Sequence, residues 1–141
     1  MIVLVQASVL TIDISEKEKV LRQLPIELIK MRSCSEAARY LKNEEVKSII
    51  SKWDYGDLEK ARFLRSLKSI KPHISTVVLI EPGSPELEIA ARSFGASAVL
   101  SEDIDDEHFL LTMTAILGLR NIVLNNVKAS AELKDTTTQK S

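Results

Sequence analysis

An α/β protein, folded as a three-layer α/β/α sandwich on a parallel sheet, is what this sequence predicts. Three observations carry that reading. Five short apolar, β-rich segments alternate with amphipathic ones along the chain. The run Val77-Val78-Leu79-Ile80 is apolar at every position, which marks a strand covered by helices on both faces. Helix start and stop signals fall in the gaps between the apolar segments.

The elements follow in order. Residues 2–5, Ile-Val-Leu-Val, read as the first buried strand. Ser15-x-x-Glu18 is a capping box, with Val20, Leu21 and Leu24 on one helix face and Pro25 as the stop. Residues 26–29 form the second strand. Ser33-x-x-Glu36 opens the next helix, carrying Ala37, Ala38 and Leu41. The third strand is residues 46–50. Residues 57–71 place Leu58, Ala61, Leu64 and Leu67 at helical spacing, and Pro72 ends them. Residues 76–80 form the fourth strand. Ser84-Pro85 sets an N-cap before a proline at the first helical position, and Leu87, Ala90, Ala91 and Phe94 make the apolar stripe. Gly95 suits the position after that helix. Residues 98–100 are the fifth strand, and a last helix is expected from about 105 to about 132.

Composition narrows the function. The chain has 141 residues and a formal net charge of −1, which gives no basis for blanket phosphate neutralisation or a polybasic membrane anchor. Aromatics are 4%, too few for base-stacking platforms, so no nucleic acid and no membrane are expected as partners. One cysteine, Cys34, excludes an internal disulfide and a Cys-rich zinc site. His73 and His108 stand far apart with no paired-ligand spacing, so no metal and no cofactor are expected. There is no GxGxxG, GxxxxGK[ST] or GxSxG motif, and the chain is not expected to be an enzyme. The first apolar run is too short for a signal peptide or a span, so a cytoplasmic location is expected.

Residues 75–100 are the most specific stretch. Ser-Thr-Val-Val-Leu-Ile, a loop, a helix and then Ser93-Phe-Gly-Ala-Ser-Ala-Val-Leu100 resemble the fourth-strand to fifth-strand part of response-regulator receiver domains. The Gly95-Ala96-x-x-Val99-Leu100 turn is the closest match, and the resemblance covers about residues 1–120. It implies the flavodoxin-like (βα)5 fold, with a five-stranded parallel sheet in the order 2-1-3-4-5. It also implies where phosphoryl-transfer residues would stand. The acidic pair after the first strand, which holds Mg²⁺ in such domains, falls at about Gln6 and Ala7. The aspartate that accepts the phosphoryl group falls at Ser51, counting from Ile49-Ile50. The hydroxyl after the fourth strand is Glu81. The lysine after the fifth strand is Glu102, its following proline is Asp103, and the aromatic switch residue is Val99.

These losses agree physically. Mg²⁺ needs clustered oxygen ligands, and phosphoryl transfer needs positive charge where negative charge develops. A glutamate in place of the lysine reverses that field. The chain is therefore read as a degenerate receiver. Asp54, in Trp53-Asp54-Tyr55-Gly56-Asp57, is the alternative acceptor if the strand ends later; the competing reading is a turn in which Asp54 or Asp57 caps the third helix.

Glu102, Asp103, Asp105, Asp106 and Glu107 read as charge at a helix start, as an acidic docking surface, or as a cation site if Glu81 and Glu102 converge. Trp53 reads as a packed rim residue or an interaction hot spot. The last helix carries more apolar residues than a receiver sheet needs. Leu119, Val123, Leu124 and Val127, with Ile89 and Arg92 on the fourth helix, mark a candidate interface. The expected organisation is a receiver-like domain over 1–120, a helical extension over 121–133 and a flexible tail over 134–141. The expected function is a phosphorylation-independent protein–protein interaction module, acting as a homodimer with a further protein partner. A phosphorylatable receiver using Asp54 is the alternative; a small-molecule enzyme lacks a phosphate-cradling loop and an activated nucleophile.

Overall fold

The computed structural model describes residues 6–54 and 56–119. Strands and helices alternate as β1 (Ala7–Ile12), α1 (Ser15–Leu21), β2 (Ile26–Met31), α2 (Cys34–Leu41), β3 (Ser48–Lys52), α3 (Leu58–Ile70), β4 (Ser75–Ile80), α4 (Pro85–Ser93), β5 (Ala98–Ser101) and α5 (Asp106–Leu117). The strands are parallel, in the order β2-β1-β3-β4-β5. This is the flavodoxin-like (βα)5 sandwich that the sequence predicts.

The pleat sorts each central strand between two layers. Val9, Ile50, Val77 and Leu79 face α1 and α5, where they meet Leu21, Phe109 and Met113. Leu10, Ile12 and Ile49 face Cys34, Ala37 and Leu41 of α2 and Leu67 of α3. Val78 and Ile80 face Leu64 of α3 and Leu87 and Ala91 of α4. Both faces of β1, β3 and β4 are therefore covered, which explains the unbroken apolar run Val77–Ile80 of β4.

Four expectations change. The first strand among the described residues is Ala7–Ile12, whereas the strand expected at residues 2–5 lies outside them. β1 contains the fully buried Thr11, whose hydroxyl donates to Glu18 Oε1 at 3.0 Å. Glu18 also pairs with Lys30 at 3.1 Å. That role removes Glu18 from the expected capping box: Ile14 precedes α1 with no side-chain cap. β3 runs two residues later than expected, to Lys52. Finally, α5 stops at Leu117 instead of continuing toward 132. Gly118 takes a left-handed conformation (φ 73°), and the Leu119 amide folds back to the Thr114 carbonyl at 2.9 Å.

Other boundary signals act as the sequence implies. Ser33 accepts a hydrogen bond from the Glu36 amide at 3.2 Å, and Glu36 Oε2 accepts one from the Arg32 amide at 3.2 Å. Pro85 starts α4. Gly95 has φ +106°, and an added Cβ would sit 3.1 Å from Lys68 Cβ, so both conformation and space favour glycine there. Among the described residues, no helix is long and apolar enough to cross a membrane.

Candidate functional site

In an open parallel sheet the carboxyl ends of the strands form the usual ligand edge. Here that edge holds a cavity of about 240 Å³. β1 and the start of α1 supply Asp13, Ile14, Ser15, Glu16 and Lys17; β3 supplies Lys52, β4 Leu79, and the residue after β5 is Glu102. Asp13 turns the chain from strand to helix with φ 58°, a left-handed conformation that aspartate tolerates better than most residues.

Its central feature is an ion pair. Lys52 Nζ lies 3.5 Å from Glu102 Oε1. That oxygen is shielded from solvent and has no well-formed hydrogen bond among the described residues, so the ammonium is its charge partner. Glu102, and next Asp54, hold the Lys52 amine above its ordinary pKa, and Asp13 adds to the effect. A protonated amine has no lone pair, so Lys52 is a cation here and not a nucleophile. Lys17 is engaged elsewhere. Its ammonium donates to the Ile104 carbonyl at 2.6 Å, pairs with Asp106 at 3.3 Å and lies 5.6 Å from the Phe109 ring centre. It ties the start of α1 to the β5–α5 turn.

The structure redistributes the expected site residues. Gln6 and Ala7 stand at the amino end of β1, across the sheet from the cavity. β1 ends at Ile12, and Asp13 follows it between two buried isoleucines, with Glu16 of α1 lining the same corner of the cavity. Ser51 does not line the cavity. It follows Ile49 in the pleat, is buried, and its hydroxyl donates to the Lys52 carbonyl at 3.1 Å. Lys52, in phase with Ile50, lines the cavity where Ser51 does not. The sequence signal for Lys52 and Asp13 was their position just after apolar strand residues; the misplaced first and third strands hid both.

Asp54 is exposed and outside the cavity. Asp57 is the N-cap of α3, its carboxylate accepting from the Lys60 amide at 3.2 Å. Glu81 and Glu102 do not converge: Glu81 lies with Val99 in a separate depression lined also by Pro82, Gly83 and Ser84. Asp105 caps α5, accepting from the His108 amide at 2.8 Å, with the His108 ring 2.6 Å away. Those two contacts hold its carboxyl below the usual range. Among the described residues, no group of three or more His, Cys, Asp or Glu side chains is arranged to hold a metal ion.

Of the expected interface, Ile89 is 70% exposed and Arg92 pairs with Glu88 at 3.2 Å on the same helix. Leu119 is half-buried against the α1–α5 core, so it serves this domain's own packing. Val123, Leu124 and Val127 lie outside the described residues. Trp53 is buried, edge-on to Phe94 at 5.9 Å, with its indole N–H donating to the Asp57 carbonyl at 3.2 Å. Cys34 is buried, and desolvation, followed by the charge of Glu59, pushes its thiol up to about 11, which leaves it protonated and unreactive at neutral pH.

No protein-family model matches the chain, and no curated protein matches it by sequence. Solved structures do. The signal receiver domain of an HD-domain-containing protein from Pseudomonas fluorescens superposes with a TM-score of 0.73 at 21% identity, over 89% of this chain and 96% of that one. A response regulator receiver domain protein from Clostridium thermocellum gives 0.68 at 20%, over 83% and 98%. The chemotaxis response regulator CheY4 of Vibrio cholerae gives 0.67 at 19%, over 80% and 100%. At these identities the likeness is one of fold, and this chain has the fold of a response-regulator receiver domain.

Proposed function

We propose that this receiver-fold chain is a pseudo-receiver: a signalling module that binds protein partners without being phosphorylated. The Lys52–Glu102 pair carries the reading. The receiver resemblance expects a carboxylate at the end of the third strand and an ammonium after the fifth. Here the ammonium stands on β3 and the carboxylate follows β5. The attraction across the sheet edge is retained with its polarity reversed, so the nucleophile is absent from the place where a phosphoryl group would be received. Of the acids lining the cavity, Glu102 is paired with Lys52, and Asp13, Glu16 and Glu102 are not grouped to hold a metal ion, a poor start for Mg²⁺, which binds clustered oxygen ligands.

Incubation with acetyl phosphate and Mg²⁺ tests this directly. Intact-mass analysis is expected to find the wild-type chain unmodified. A phospho-adduct that disappears in Asp54→Asn would make the protein a working receiver and overturn the proposal.

The same reading includes self-association. Ile89 on α4 is exposed and supplies apolar surface for a second copy, and the sequence places further apolar residues at Val123, Leu124 and Val127. Multi-angle light scattering is expected to give twice the chain mass for the wild type, and Ile89→Glu and Leu124→Glu are each expected to shift it toward the monomer. A wild-type monomer across the concentration range would refute the dimer.

A further inference from the structure

A second feature lies away from the strand-end cavity. α2 and α3 run side by side on the sheet, and between them is a groove of about 370 Å³. α2 supplies Ala38 and Leu41, α3 supplies Phe63, Ser66, Leu67 and Ile70, and Lys42 and Lys71 follow the two helices. Leu41 and Leu67 form a buried floor. Phe63 is half-buried, and Ile70, about two turns along, is 72% exposed. An isoleucine in water needs no explanation by itself, but here it continues an apolar channel that reaches the core.

The channel has a direction. Its charged lining is two lysines, with no carboxylate among the lining residues, and both lysines sit at the helix C-terminal end. Lys71 donates to the Leu41 carbonyl at 2.6 Å and pairs with Glu45 at 3.2 Å. Lys42 follows α2, is exposed, and makes no ion pair among the described residues. The stretch from Phe63 to Lys71 is about 12 Å long at 1.5 Å per residue, the length of two helical turns.

We propose that this groove docks an amphipathic helix of a partner protein, antiparallel to α2 and α3. Two apolar anchors, three to four residues apart, pack between Phe63 and Ile70. Carboxylates in the partner's first turn meet Lys42, the lining lysine with no ion pair among the described residues, where the partner's own helix dipole also favours acids. Two segments of this chain fit less well. Residues 120–128 are apolar enough but carry Arg120 and Lys128 and no acid, the wrong sign for a lysine-lined end. α4 has Glu86 and Glu88 in its first turn and the exposed Ile89, but Arg92 and Ser93 stand where a second anchor is required.

The test uses the full chain, labelled with ¹⁵N, and two synthetic helical peptides that share one leucine stripe. One has glutamates in its first turn; the other has lysines there. The acidic peptide is expected to shift amide signals of the second half of α2 and of residues 63–71, and to bind about tenfold more tightly than the basic one. Ile70→Glu is expected to abolish binding of both, and Lys42→Glu to remove the preference. Both positions are exposed, and unchanged signals elsewhere in the spectrum establish that the variants are folded. Equal affinity for the two peptides, or shifts elsewhere on the surface, overturns the proposal. So does occupation of the groove by residues 120–133, seen as contacts in the peptide-free chain, or by a second copy, seen as concentration-dependent shifts.

Discussion

Phe109→Ala is expected to lower the thermal midpoint by on the order of 15 °C, corresponding to about 3–5 kcal/mol. Phe109 is the largest of the fully buried side chains. It sits where α5 meets the sheet, in one cluster with Val9, Ile50, Val77 and Leu79 from the three central strands. Truncation removes the ring's transfer free energy and leaves a cavity between layers that cannot close without moving α5. The Lys17 ammonium, 5.6 Å from the ring centre, loses that face as well. A domain of this size is stable by about 5–15 kcal/mol, so one such loss takes a large share of the total. Leu58→Ala is the control: Leu58 is 67% exposed, and its truncation is expected to cost about 0.5 kcal/mol or less. Differential scanning calorimetry on the two variants checks the contrast. A midpoint for Phe109→Ala within about 4 °C of wild type, roughly the shift for 1 kcal/mol in a chain of this length, would show that α5 is not the keystone of that layer.

The same packing explains which parts of the fold could be read from sequence. β4 was legible because Val77, Val78, Leu79 and Ile80 are buried on both faces and none of them is polar. α2 and α3 were legible because Ser33 and Asp57 act as caps in the way their positions imply. β1 was obscured by Thr11 and Ser8. A buried threonine breaks an apolar pattern unless its partner is known, and Glu18 stands seven residues away on another element. The more apolar residues 2–5 therefore drew the assignment, and the error carried Gln6 and Ala7 into the wrong corner. The site failed for a related reason. A one-residue slip in a strand exchanges its two faces, so counting to Ser51 instead of Lys52 placed the side chain in the α2–α3 layer instead of the cavity. Glu102 does follow β5, as the sequence implies, because β5 is short and its pairing with β4 fixes it: the Glu102 amide donates to the Ile80 carbonyl at 2.7 Å.

Exchanging the partners of the strand-end pair provides the second large effect. Lys52→Asp is expected to lower the thermal midpoint, because it sets a new carboxylate beside Glu102, with Asp54 and Asp13 also near. Glu102→Lys is expected to lower it less. Its new ammonium faces Lys52, but Asp54 and Asp13 still attract Lys52 and Asp13 lines the same cavity. The double variant Lys52→Asp/Glu102→Lys restores opposite charges across the edge and is expected to recover most of what either single change loses. Its signature is non-additivity, since charges in direct contact couple whereas distant ones add. Raising the salt concentration should shrink all three effects, because the side chains are partly exposed and the field is screened. The pattern separates two accounts of the edge. If the pair acts as an interaction, the midpoints follow the cycle, and Lys52 and Glu102 hold the ends of β3 and β5 together. If the singles add, Lys52 and Glu102 are independent surface charges, and the pair gives no support to the proposed pseudo-receiver function.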